Sequence, residues 1–215
     1  MSQTIKTLEG FTRKIRAVLP AADEVLLYRG HADRRNFTLL PSVMREMKFQ
    51  DAEDTILRDL VASHPSEFAT DTCALDQLAR VQHYSLPTRL LDVTWNPLVA
   101  LYFAANNHPN ATGEVLVFRI KKSQVKYFDS DTVSCIANLA HLKKAEKGAI
   151  NFNLAGDAFQ QQTPIDRLLQ FIRGEKPRTR NASSQSFWIR SPRLRLFTWW
   201  RSVVLRKSFL NQEKY

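Results

Sequence analysis

The chain has 215 residues, 44% hydrophobic and 10% aromatic, enough to bury one sizeable core. It contains no run of about 18 uncharged apolar residues and no basic-then-apolar leader, so neither a membrane span nor a secretory signal is read and a cytoplasmic protein is expected. The net charge of +10 sits at one end: residues 1–175 hold 21 Lys and Arg against 20 Asp and Glu, whereas 176–215 hold 10 against 1, which excludes a basic main body. Cys73 and Cys135 form no CxxC pair and have no histidine at ligand spacing, so no disulfide framework and no metal site is expected.

In chain order, Ile5, Leu8, Phe11, Ile15, Val18 and Leu19 recur at helical spacing against Lys6, Arg13, Lys14 and Arg16, predicting an amphipathic helix that ends before Pro20. Residues 24–29, EVLLYR, place four apolar side chains in a row and stop at Gly30, which reads as a strand buried on both faces. Arg29 at its end has two readings: a salt-bridge partner, or a guanidinium aimed at a phosphate or carboxylate with backbone room beside it. Residues 31–49 read as a loop over the site. Helices are predicted at 51–64 and 74–84, and the second feeds Gln82 and His83 into the stretch that follows.

That stretch, residues 82–105, reads QHYSLPTRLLDVTWNPLVALYFAA. Residues 86–94 are predicted as a short strand in which Leu90, Leu91 and Val93 are interrupted by Arg89, Asp92 and Thr94. Asn96 then supplies a helix N-cap, Pro97 fits the first helical position, and Leu98, Leu101, Tyr102 and Ala105 are expected to form the apolar face. Arg89 and Asp92 need partners, since an isolated buried charge is too costly. Either they brace the fold and His83 is a satisfied core histidine, or Gln82, His83, Thr88, Asp92 and Thr94 gather at one cleft where a strand end meets a helix N-terminus.

Further on, strands are predicted at 113–120 and 124–128, a helix at 132–142, a solvated turn over KKAEKG at 143–148 and a short strand at 150–152. Gln160, Gln161 and Gln162 read as loop. Thr163 then caps a helix with Pro164 first inside, Asp166 completing a T-x-x-D capping box and Gly174 closing it. Beyond Lys176 no acidic residue appears until Glu213, glycine vanishes, and Trp188, Trp199, Trp200 and seven arginines crowd in without a period. A basic aromatic arm for nucleic acid or an anionic surface is one reading. The preferred one is an out-of-frame or remodelled C-terminus, which leaves a domain over 1–175 and an atypical tail over 176–215.

Tyr28, Arg29 and Gly30, the LLPS of residues 39–42 followed by Arg45, and QHYSLPTRLLDVTWNPLVALYFA over 82–104 together resemble the FRG domain family. That family is named for an aromatic-Arg-Gly motif and carries a QHYGLPTRLLDWT-like centre; here Ser85 stands where glycine is usual. The resemblance implies a single α+β domain of FRG type, bacterial or phage-borne, in a family mostly of unestablished activity. A second similarity, through Arg29, Thr94 and residues 100–104, is to ADP-ribosyltransferases. It implies a mixed sheet with flanking helices, NAD as substrate, and a toxin or anti-phage effector acting on a macromolecular target. On that similarity Arg29, His83, Asp92 and Thr94 are candidate catalytic residues. Tyr28, Arg29, Gly30, Gln82, Thr88 and Tyr102 are candidates to line NAD, and Glu175 or Asp92 is the candidate carboxylate. The alternative is a non-catalytic binding or regulatory module of a bacterial or phage defence system.

Overall fold

A computed structural model describes residues 4–106, 110–176 and 204–207. In chain order these form α1 (Leu8–Arg16), β1 (Glu24–His31), α2 (Met47–Asp51), α3 (Glu53–Ser63), α4 (Pro65–Phe68), α5 (Ala74–His83), β2 (Leu90–Val93) and α6 (Pro97–Ala105). They continue with β3 (Glu114–Lys121), α7 (Asp131–Asn138), α8 (Lys144–Ala149), α9 (Gly156–Gln160), α10 (Thr163–Glu175) and β4 (Val204–Lys207). The fold is α+β. Among the described residues two compact units emerge, one from 4–38, 92–106, 110–125 and 206–207 and the other from 39–91, 126–176 and 204–205. Two ladders are present among the described residues, β1 with β3 and β2 with β4.

In the first unit β1 and β3 pair antiparallel from Glu24↔Lys121 to His31↔Glu114. The far edge of β1 is met at one point, where Tyr28 and Thr94 exchange main-chain hydrogen bonds of 2.7 and 2.8 Å. The close approach of α6 explains the glycine of the YRG motif. A Cβ on Gly30 would lie 1.9 Å from the Ala100 carbonyl oxygen, and one on Gly113 would lie 1.9 Å from that of Ala104. The face α6 buries is therefore the small one, Ala100 and Ala104, while Leu98 and Tyr102 of the expected apolar face are exposed. A large side chain toward the sheet would hold the backbones apart. Asn96 and Pro97 open this helix as expected, with the Asn96 side chain accepting from the Leu98 N–H at 2.9 Å.

The second unit is helical. Leu57 of α3, Phe68 of α4, Leu78 and Val81 of α5, Leu90 and Ala137 of α7 share one core cluster. Leu139, Leu142, Ile150 and the Ile165, Leu168, Ile172 stripe of α10 share another. Helix α5 ends in a two-bond C-terminal motif: Ser85 N–H donates to Gln82 O at 3.0 Å, Leu86 N–H donates to Val81 O at 3.3 Å, and Leu86 packs on the cluster that holds Val81. This motif puts Ser85 at φ 60°, the left-handed region that costs a side chain little only in glycine. The usual glycine of the family motif thus has a backbone reason.

Several expected elements differ. The strand read at 86–94 is confined to Leu90–Val93, because Thr88 is tied instead to Ser42. Residues 124–128 form no strand: the chain turns through a 3-10 segment at Lys122–Gln124 and leaves Tyr127 and Phe128 exposed. The loop at 31–49 carries a 3-10 turn at Ser42–Met44 and the start of α2. KKAEKG is helical as α8, and residues 150–152 are not a strand. Gln160 ends α9. At α10 the N-cap is Gln162, Thr163 lies inside the helix, Asp166 accepts from Gln170, and the helix passes Gly174 to end at Glu175. Of the expected tail over 176–215, only Lys176 and β4 lie within the described residues.

Candidate functional site

Strand alternation places Arg29 and His31 on one face of β1, opposite the face that carries Gly30. The register sets Glu114 directly across from His31, and the three side chains join in a line. Arg29 Nε–H donates to His31 Nε2 at 3.1 Å. With Nε2 accepting, the ring proton belongs on Nδ1, which lies 3.2 Å from Glu114 Oε1 and donates to it. The imidazole is 2% exposed and stacked on Phe37 with ring centroids 5.7 Å apart. Burial makes both of its hydrogen bonds necessary. Arg29 Nη1 also donates to the Asp92 carbonyl at 2.5 Å, which fixes the guanidinium against the end of β2. The Glu114 side chain remains 28% exposed, with Arg34 Nε 3.9 Å from its second oxygen.

The result is a guanidinium and a solvent-reachable carboxylate held in fixed relation by a buried imidazole. Such a pair can meet a ligand that carries an anion beside a centre of developing positive charge.

The first unit brings together six of the residues singled out in the sequence, in unequal roles. Tyr28 contributes main-chain bonds to Thr94, and burial raises the pKa of its phenol above the usual value. Gly30 admits α6, and Asp92 supplies its carbonyl. Thr94 Oγ1 accepts from the Asn96 N–H at 3.1 Å and shapes the turn into α6. Tyr102 lies on the side of α6 away from Gly30, 58% exposed, its hydroxyl accepting from Asn106 at 2.8 Å.

Gln82, His83 and Thr88 belong to the helical unit. Thr88 N–H donates to Ser42 Oγ at 3.0 Å, and the Thr88 carbonyl accepts from Ser42 Oγ at 3.3 Å and from the Val43 N–H at 3.1 Å. The LLPS and LPT segments are therefore one clasp. His83 is exposed at the end of α5 rather than in a core. Glu175 accepts from the Ala74 N–H at 2.5 Å and from Ser134 Oγ at 2.9 Å, so it caps α5.

Arg89 finds its partner in Glu53. Nε and Nη2 donate to the two carboxylate oxygens at 2.8 and 2.5 Å, and Lys147 Nζ adds a contact of 2.5 Å. Burial opposes the charged Glu53, but Arg89 and Lys147 outweigh it and hold its pKa below the usual carboxylate value. Burial lowers the Lys147 ammonium, with Glu53 offsetting part of the effect. Burial and the nearby Arg58 and Arg89 lower the His141 imidazole.

His31 and Glu114 were missed in the sequence. His31 follows the YRG motif directly, but its partner lies 83 residues on. One signal does exist: EVLLYR at 24–29 and EVLVFR at 114–119 are near-copies, and they form the two paired strands.

Among the described residues no three His, Cys, Asp or Glu side chains group as metal ligands, and no helix is long and apolar enough to cross a membrane. The FRG domain family matches residues 24–112, a span that contains the YRG, LLPS and QHYSLPTRLLD segments. No curated protein and no solved structure matches the chain.

Proposed function

This chain carries an FRG domain over residues 24–112, and from that premise we propose that its β1–β3 face binds NAD and acts on it as an ADP-ribosyltransferase-like toxin or anti-phage effector. One observation carries the reading: Arg29, His31 and Glu114 stand in a hydrogen-bonded line, with the carboxylate partly open to solvent. Breaking the bond between nicotinamide and ribose builds positive charge on the sugar, and a fixed carboxylate lowers the cost of that charge. Glu114 takes this role and Arg29 pairs with the pyrophosphate. His31 is a positioning residue: its ring, bonded to both neighbours, holds Glu114 in place beside Arg29.

The reading is tested by calorimetric titration of NAD into the folded chain and into Arg29→Ala. Binding to the first, weakened at least about tenfold in the second, supports it, by the loss of one charge-assisted contact. Absence of binding to a cooperatively folded chain rejects it.

A second reading rests on a different contact. Arg29 ties β1 to the Asp92 carbonyl, as a brace in a non-catalytic binding or regulatory module would. On that reading Arg29→Ala lowers stability by about 1–3 kcal/mol and NAD does not bind.

A further inference from the structure

Among the described residues β3 pairs along one edge only, with β1. Lys122 N–H donates to Asp23 O at 2.7 Å, which makes 23↔122 a hydrogen-bonded pair and fixes the alternation along the register that follows. Glu114, Leu116, Phe118 and Ile120 therefore direct their main-chain groups toward β1. Val115, Val117, Arg119 and Lys121 direct theirs the other way, where the sheet of described residues ends. No proline, bulge or glycine interrupts these eight residues, and Val117 is 37% exposed. An edge of this length without such devices is a template for another strand.

We propose that two copies of this chain associate through antiparallel β3–β3 pairing about a two-fold axis at Phe118. Two-fold symmetry requires that directly opposed residues lie on the same face, so the residue numbers of each opposed pair sum to an even value. A register centred on Phe118 pairs Val115 with Lys121 and Val117 with Arg119 of the second copy, so that all four outward-facing residues exchange hydrogen bonds. It opposes Leu116 to Ile120 and Glu114 to Lys122, an apolar and an opposite-charge pair that each occur twice by symmetry. Centring on Arg119 instead would oppose two arginines, and centring on Val117 would leave Lys121 opposite Gly113. The charge pattern selects Phe118. In the single chain the Lys122 ammonium donates to the Ala22 carbonyl at 2.8 Å; on pairing it exchanges that carbonyl for Glu114 of the second copy, so association changes the charge next to the Arg29–His31–Glu114 line. The inference rests on the β3 edge alone and does not depend on the NAD reading.

The test is sedimentation of the full chain over a concentration series, beside Val117→Pro, Lys122→Glu and Phe118→Cys. Proline at 117 removes an outward N–H without touching the β1 ladder. The expected result is a wild-type dimer at tens of micromolar, a folded Val117→Pro monomer, and roughly tenfold weaker association for Lys122→Glu. Phe118→Cys crosslinks on mild oxidation because opposed Cα atoms in a non-hydrogen-bonded pair lie about 4.5 Å apart, and Ile120→Cys does not. The native thiols give little background, since burial pushes Cys135 up to about 12 and raises Cys73. If Val117→Pro fails to fold, the cysteine pair still decides the matter. A wild-type chain that stays monomeric up to roughly 100 μM, where a micromolar dimer would form, overturns the proposal. So does a dimer in which Phe118→Cys and Ile120→Cys crosslink equally or not at all.

Discussion

Arg89 grips both carboxylate oxygens of Glu53 across 36 residues of chain, and both side chains are almost fully buried at 3% and 6% exposure. The pair joins the LPTR segment to the start of α3. Truncating one partner strands the other charge, which typically costs about 3–5 kcal/mol. Arg89→Ala is therefore expected to lower the urea midpoint sharply or prevent folding. Arg89→Lys keeps the charge but loses the two-pronged geometry, and an intermediate loss is expected.

Acid should weaken the fold in two stages. The folded pKa of His141 lies below 6.5 and that of Glu53 below 4.5. Each group contributes stability that is complete above its unfolded value and is lost as the pH falls through its folded value. Tm measured from pH 8 downward should begin to fall below 6.5 and fall again below 4.5. Glu53→Gln should shrink the second step and keep the first; Glu146, whose pKa is lowered against burial by the Lys143 N–H and Arg167, retains the remainder. A Tm flat from pH 8 to 4 would contradict this assignment.

Ser85 occupies a left-handed position at the end of α5. Ser85→Gly removes the steric cost and keeps both capping hydrogen bonds, so a gain of about 1 kcal/mol is expected in chemical unfolding. Ser85→Val should lose at least as much.

Gly30→Ala should do the opposite. The added methyl would meet the Ala100 carbonyl oxygen at 1.9 Å, a main-chain group that can move only with α6. A loss of about 3 kcal/mol or more is expected, since overpacking at far gentler contacts costs 1–3. Survival of Gly30→Ala at wild-type stability would show that α6 does not approach β1 this closely.

Much of the architecture was legible because it is local. The Asn96–Pro97 helix start and the apolar run of β1 depend on neighbours within a few residues. The need of Arg89 for a partner was legible too, but Glu53 was not, since nothing in a carboxylate at a helix start announces which guanidinium will reach it. The face of α6 was misjudged for a physical reason. Leu98, Leu101 and Tyr102 carry the larger hydrophobic signal, yet contact between backbones selects Ala100 and Ala104. Glu114 escaped because strand register, not spacing, brings it to His31. Lys147 was read as part of a solvated turn, but its ammonium reaches the buried Glu53.

On the proposed reading Glu114, held by His31 beside Arg29, gives the β1–β3 face its capacity to cleave NAD. The most direct measurement is nicotinamide release from NAD by the purified chain beside Glu114→Gln, with Tm recorded for both. Release by wild type, reduced about a hundredfold or more in Glu114→Gln at closely similar Tm, is the predicted result for loss of a group that acts in the transition state. A cooperatively folded wild-type chain that releases no nicotinamide, or a Glu114→Gln variant as active as wild type, would contradict it.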